Sequence, residues 1–200
     1  MADELIQVQL TSAQIRALAH PLRLRLLGQL RLSGPATATT LATALGTNTG
    51  ATSYHLRQLA EVELVIEEER PGSGRQRWWR AVHDMSNFRR SYYEGDPEAT
   101  AAVEWIEAQQ VSRFGALAQN WRRAMPAESQ QWQDTAGMSD YMLHLGSAQT
   151  EALLREIDEV VERHRRAGED EPGPDARSVA FYVAALPRID DVMEPGSEQA

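Results

Sequence analysis

Hydrophobic positions in the first part of the chain recur every three or four residues, which predicts a series of short helices. Four helices are predicted, at Ser12–Ala19, from Pro21 onwards, at Thr39–Leu45, and from Thr47 or Asn48 to about Val62. Two strand-like segments follow at Val65–Glu69 and Gln76–Val82, joined by a glycine-rich turn. The predicted order is four helices and then a hairpin.

The second part of the chain has a different pattern. Apolar residues at a rough three-to-four spacing predict one long helix over 97–124, followed by a linker around Pro126–Gly137. Alternation around Tyr141–Leu145 predicts a strand, an apolar stripe after Ser147 predicts a helix, and the apolar run Ser178–Leu186 predicts another strand. The predicted fold class is therefore mainly α with small β elements (α+β), with a strand–helix–strand unit over 138–187.

Charge divides the chain more sharply than composition does. Residues 1–83 carry nine Arg and seven Asp or Glu, a net of +2, whereas residues 84–200 carry eleven Arg and twenty-two acids, a net of −11. We therefore predict two domains, 1–83 and 84–200, with different roles. The N-terminal segment lacks the basic and apolar regions of a secretory signal, and no apolar run approaches the length of a membrane span, so we expect a cytoplasmic protein with no membrane partner.

Residues 40–62 carry the clearest chemical signal, because a short helix, a tight turn and a second helix form a helix-turn-helix pattern. One face of the second helix is apolar around Leu56, and residues 47–60 contain no Asp or Glu. Small and hydrogen-bonding residues on the other face suit a DNA major groove. The candidate DNA-contacting residues on this helix are Thr49, Gly50, Ala51, Ser53, Tyr54, His55, Arg57 and Gln58. The alternative is a plain polar helix in a bundle.

The hairpin adds a second basic element. Its arginines cluster around the glycine-rich tip, and we expect Arg75 and Arg77 to contact DNA phosphates rather than only solvent. Trp78 and Trp79 are expected to pack the hairpin onto the helices rather than to stack on bases.

Together these blocks resemble the ArsR-type winged helix-turn-helix of bacterial transcriptional regulators. The resemblance covers about residues 12–83 and rests on two patterns, His20-Pro21-x-Arg23-x-x-Leu26-Leu27 and Ser53-x-His55-Leu56-x-x-Leu59-x-x-x-x-Leu64-Val65. The chain departs from the pattern at Glu63, where many relatives have glycine before the strand. The resemblance implies a homodimer that binds operator DNA and whose affinity an effector changes.

We therefore expect a homodimeric transcriptional regulator, a repressor, that binds double-stranded DNA at an inverted repeat. The effector is expected to be a small molecule or a protein, and the acidic second domain to serve dimerisation or effector binding. Five aromatic residues either line a ligand pocket there or belong to a core: Trp105, Phe114, Trp121, Trp132 and Tyr141. The alternative function is a protein–protein interaction module on the same winged scaffold without specific DNA binding.

Metal sensing and catalysis are not expected. The chain has no cysteine, which excludes thiolate metal sites, and its five histidines are scattered. Phosphate-binding glycine loops, the HExxH motif and the GxSxG motif are all absent from the sequence. We therefore predict no enzyme, no cofactor and no metal site.

Overall fold

The computed structural model describes residues 7–69, 76–83, 85–87 and 89–188. Single-turn 3-10 helices lie at Arg90–Tyr93 and Met125–Ala127. The other elements, in chain order, are β1 Gln7–Gln9, α1 Ser12–Leu18, α2 Pro21–Ser33, β2 Ala36–Thr37, α3 Ala38–Leu45, α4 Thr49–Ala60, β3 Val65–Glu68, β4 Trp78–Ala81, β5 Met85–Asn87, α5 Pro97–Ala124, α6 Gln130–Thr135 and α7 Ser147–Asp170. The predicted α+β class with a predominance of helix is confirmed.

Local signals begin and end the first helices where the sequence predicts. The Thr11 hydroxyl accepts the Gln14 N–H at 3.3 Å, and the Gln14 side chain accepts the Thr11 N–H at 3.0 Å, which forms a capping box. The Gln14 amide group also donates to the Val62 carbonyl at 3.0 Å. This buried polar side chain therefore ties α1 to the segment after α4.

Two small sheets accompany the helices. Strands β2, β4 and β3 form an antiparallel sheet in that order, with Val65 opposite Ala81 and Ala36 opposite Trp79. Strands β1 and β5 pair in parallel, a pairing that no pattern in the sequence predicts. The Tyr93 hydroxyl near this pair donates to the Leu10 carbonyl at 2.8 Å.

The described chain separates into two compact units, Met1–Arg123 and Ala124–Ala200. The core of the first unit includes buried leucines of α2 and α4 together with the first turns of α5, at Ala99, Ala102, Val103 and Ile106. The boundary between the two compact units therefore lies after Arg123 and not at residue 83, because the beginning of α5 packs into the core of the first unit. The functional boundary expected at residue 83 stays a prediction.

The second unit contains α6 and α7, and its predicted strands are wrong for the single chain. Residues 138–146 and 171–188 have no regular secondary structure, and α6 forms inside the predicted linker. A strand needs a partner to pair its backbone, and neither segment has joined a sheet. Trp132 is instead covered by the Arg177 guanidinium, 4.1 Å from the ring centroid, and Arg177 pairs with Glu128 at 3.0 Å.

Helix α7 is amphipathic, with apolar residues half-buried on one side and ion pairs on another. Arg165 pairs with Glu162 at 2.8 Å and with Glu169 at 2.7 Å, one turn away. Hydrogen bonds from Arg165 and Arg166 lower the pKa of Glu162 to about 2. Among the residues that the structure describes, no helix combines the length and hydrophobicity required to cross a membrane.

Candidate nucleic-acid interface

The helix-turn-helix begins and ends on short-range hydrogen bonds. The Thr37 hydroxyl caps α3 by accepting the Thr40 N–H at 3.1 Å, and Gly46 ends that helix in the left-handed conformation with φ of 62°. The Asn48 side chain then caps α4 by accepting the Ala51 N–H at 2.8 Å. The turn between α3 and α4 is therefore short and defined by residue type.

Helix α4 divides into a core face and an outer face, as its periodicity predicts. Thr52, Leu56 and Leu59 are completely buried, and the Thr52 hydroxyl donates to the Asn48 carbonyl at 3.0 Å. The outer face places Thr49, Gly50, Tyr54 and Arg57 in solvent and leaves Ala51, Ser53, His55 and Gln58 half-buried. Tyr54 is 52% exposed although it is aromatic.

Two of the predicted contact residues have protein partners. The His55 ring lies 4.3 Å from the ring of His20, the N-cap of α2, and 5.1 Å from the Tyr54 ring. Burial lowers the pKa of His20 and of His55, and the charge of Arg23 lowers both further. The Gln58 amide donates to Glu61 at 2.9 Å. His55 therefore faces α2, whereas Gln58 must leave Glu61 to reach a ligand.

Trp79 packs the hairpin onto the helices, and its neighbour Trp78 is half-buried. Trp79 is 3% exposed and belongs to the core, as expected. Arg77 is exposed and pairs with Glu67 at 3.0 Å, while Arg80 lies 3.6 Å from Glu68. The hairpin tip, including the predicted contact residue Arg75, lies outside the described residues.

An open groove of about 370 Å³ lies between the start of α3, the outer face of α4 and the hairpin. It brings together four of the predicted residues: Thr49, Ser53 and Arg57 of α4 and Arg77 of the hairpin. Its remaining lining comes from Thr37, Ala38, Thr39, Gln76 and Trp79.

Thr39 and Gln76 are candidate contact residues that the sequence pattern does not indicate. They are far apart in the sequence, and the antiparallel pairing of β2 with β4 brings their chain segments to the same groove. The one local signal was the Thr-rich start of α3, which indicated a helix N-terminus but not its proximity to the hairpin.

The lining suits a polyanion with a hydrogen-bonding surface. It contains hydroxyl groups, one amide and two guanidinium groups, and none of the residues named above as its lining carries a carboxylate. Guanidinium and hydroxyl groups are the usual partners of phosphate oxygens, and Arg also donates in pairs to guanine. The fold and this groove define a winged helix-turn-helix with a donor-lined face.

Comparisons with known proteins agree on the class. Residues 18–68 match a protein family described as a helix-turn-helix domain. No curated protein matches the chain. The family match points to a DNA-binding transcriptional regulator.

Three solved structures illustrate the similarity. A possible transcriptional regulator for arsenical resistance is 29% identical, over 53% of this chain and 96% of that chain, with a TM-score of 0.31. A homodimeric winged helix-turn-helix DNA-binding domain from Mycobacterium bovis is described as a possible ArsR-family regulator. It is 24% identical, over 50% of this chain and 77% of that chain, with a TM-score of 0.32. Reduced HlyU from Vibrio cholerae is 20% identical, over 48% of this chain and 84% of that chain, with a TM-score of 0.32.

At these TM-scores the superpositions add nothing to the family match. The helix-turn-helix predicted for the N-terminal part is confirmed by the family match over residues 18–68. The finer resemblance to ArsR-type regulators rests on the sequence motifs.

Proposed function

We propose that the protein is a sequence-specific transcriptional regulator, a repressor, that binds an inverted-repeat operator as a homodimer. The observation that carries the proposal is the donor-lined groove between α4 and the hairpin. Thr49, Gly50, Ala51, Ser53, Tyr54, His55, Arg57 and Gln58 are proposed for the major groove, and Arg75 and Arg77 for the backbone. The exposed Tyr54, on a face of small and hydrogen-bonding residues, supports direct contact with bases.

The homodimer is supported by the second half of α5. Its first turns are buried in the core, whereas Val111, Phe114 and Leu117 are 72%, 40% and 38% exposed on the same helix. A second copy related by a two-fold axis would cover this apolar surface and place two α4 helices on half-sites about 10–10.5 base pairs apart. The acidic second part, proposed as the dimerisation and effector domain, would not approach DNA phosphates.

The effector proposed is a small molecule or a protein that changes operator affinity. Because the chain has no cysteine, a thiolate-bound metal is not proposed as the signal. No reaction is proposed for the chain.

Binding of the full-length protein to fluorescent DNA from its own upstream region, measured by anisotropy, tests the proposal. Sequence-specific binding should survive an excess of unrelated DNA and weaken as salt is raised. In transcription in vitro, added protein should lower the yield from that promoter. Binding that unrelated DNA abolishes, on every site found by unbiased selection, would contradict specific recognition.

Substitutions in the groove refine the test. Arg57→Ala should weaken operator binding by about 1–3 kcal/mol, or roughly 5- to 150-fold, and relax the preference at one base pair. Arg77→Ala should weaken all sequences equally and reduce the salt slope by about one. Arg155→Ala is the matched control, because it also removes one exposed arginine but lies on α7, outside the residues that line the groove. This variant should bind the operator as tightly as wild type.

One observation favours the alternative, a winged module that binds protein rather than DNA. The ion pairs of Arg77 with Glu67 and of Arg80 with Glu68 reduce the positive charge of the hairpin. Under this alternative the protein should not bind DNA even at low salt, and Arg57→Ala should have no effect on any DNA.

A further inference from the structure

Two segments of the second unit that have no regular secondary structure expose an unusual amount of apolar surface. Residues 138–146 and residues 178–186, called here the apolar segments, flank α7 in the sequence. Their exposed large hydrophobics range from 41% at Leu145 to 84% at Leu186 and comprise Met138, Tyr141, Met142, Leu143, Leu145, Val179, Phe181, Tyr182, Val183 and Leu186. Together they expose on the order of 1000 Å², against roughly 800 Å² per partner in a standard stable interface.

Both apolar segments have strand patterns but lie outside any sheet in the described single chain. The first alternates apolar and polar residues around Tyr141–Leu145, as an outer strand does, and the second is continuously apolar, as a central strand is. Two strands alone are marginal in water, and three or more with a covered face are required for stability. One chain therefore supplies half of a stable sheet.

Charge restricts what can complete the sheet. Residues 124–200 carry six Arg and sixteen Asp or Glu, a net of −10, which disfavours nucleic acid on this unit. The apolar segments themselves contain one Asp, one His and no other ionisable side chain apart from two tyrosines. Two copies can therefore meet through these segments without bringing like charges into contact.

We propose that the apolar segments pair with those of a second copy of this chain, which forms one four-stranded interchain sheet. The two α7 helices then cover it with their apolar sides, where Leu153, Leu154 and Ile157 are half-buried in the single chain. This inference rests on the homodimer of the proposed function and assigns its second contact surface. Two-fold pairing doubles the strands from two to four, which passes the three-strand requirement.

Sedimentation equilibrium of the full-length protein and two aspartate variants tests the pairing. Val183→Asp in the second apolar segment should raise the dimer dissociation constant at least tenfold, because it brings two carboxylates into the interchain sheet. Leu32→Asp on α2 is the matched control, since Leu32 is also an exposed hydrophobic, at 60%, but lies in the first unit. It should dimerise as wild type.

Cross-linking then identifies the contact directly, because the chain has no cysteine of its own. Leu143→Cys and Val183→Cys, oxidised separately and as a mixture, should give a disulfide-linked dimer in at least one combination, much faster than Leu32→Cys. No cross-link in any combination would overturn the inference.

The remaining outcomes separate the inference from the proposed function. A monomeric wild-type protein overturns the interchain sheet. A dimer that Val183→Asp leaves intact and Val111→Asp dissociates also overturns the sheet, but it supports the proposed homodimer with α5 as its interface. If the wild-type protein does not bind an operator but Val183→Asp still dissociates its dimer, the proposed function is overturned and the sheet is supported. Binding of a different protein to the segments of a monomer overturns the sheet as well.

Discussion

Glu63, three residues after the last residue of α4, takes the left-handed backbone conformation, with φ of 58°. Two backbone hydrogen bonds close the helix end there in a Schellman pattern: Leu64 N–H donates to the Leu59 carbonyl and Glu63 N–H to the Ala60 carbonyl, both at 3.0 Å. Glycine keeps both bonds. For a residue with Cβ the left-handed conformation costs about 1–2 kcal/mol. Replacing Glu63 by glycine removes this cost. Glycine also gives the unfolded chain more conformational freedom, which lowers the stability of the folded state by about 0.5–1 kcal/mol and offsets part of the gain.

We therefore expect Glu63→Gly to stabilise the protein by about 0.5–1 kcal/mol, which for a chain of this size corresponds to roughly 1–4 °C in Tm. Urea unfolding followed by circular dichroism measures the change, provided that the m-value is constant. Glu63→Ala is the control, because it removes the same carboxylate and keeps Cβ, and it should remain close to wild type. A glycine variant no more stable than the alanine variant would refute the reasoning from backbone strain.

Three further substitutions or conditions test the structure of α4. Asn48→Ala should cost about 1 kcal/mol, measured by urea unfolding, because it removes the side-chain cap on the Ala51 N–H, while Asn48→Ser should retain most of the stability. Leu56→Ala should cost about 2–5 kcal/mol by the same measurement, because it opens a cavity at a completely buried position; a cost below 1 kcal/mol would contradict that packing. Stability should fall as pH drops below about 6.5, because the pKa of His20 and of His55 is lowered in the folded state and the unfolded chain therefore binds protons first. His55→Gln should flatten this part of the pH curve, and an unchanged curve would show that the pair does not titrate as described.

Local signals explain why the helix-turn-helix could be predicted so closely. The side chains of Thr11 and Asn48 and the left-handed Gly46 act within a few residues, so the sequence contains all that is required to place those helix ends. Glu63 also shows the limit of pattern matching, because it departs from the glycine of many relatives and still takes the glycine-like conformation.

Non-local pairing explains what could not be predicted. The groove depends on β2 meeting β4, which aligns Thr37 with Trp78 across a long stretch of sequence. The parallel pairing of β1 with β5 is another such contact. In the second unit the alternation around Tyr141–Leu145 indicates a tendency to form a strand, but the pattern does not specify the partner, and the single chain provides no sheet for it.

Folding and proposed recognition use opposite faces of α4, and this separation makes the proposals testable. Leu56 is fully buried against the core, whereas its neighbour Arg57 lines the groove and is exposed. Loss of the buried side chain should lower the free energy of unfolding and affect DNA binding only through the folded fraction. If Arg57 contacts DNA as proposed, loss of its guanidinium should change DNA affinity with little effect on folding. The two effects are therefore measured by different experiments on adjacent residues. A binding defect at Arg57 with unchanged stability assigns the outer face to DNA.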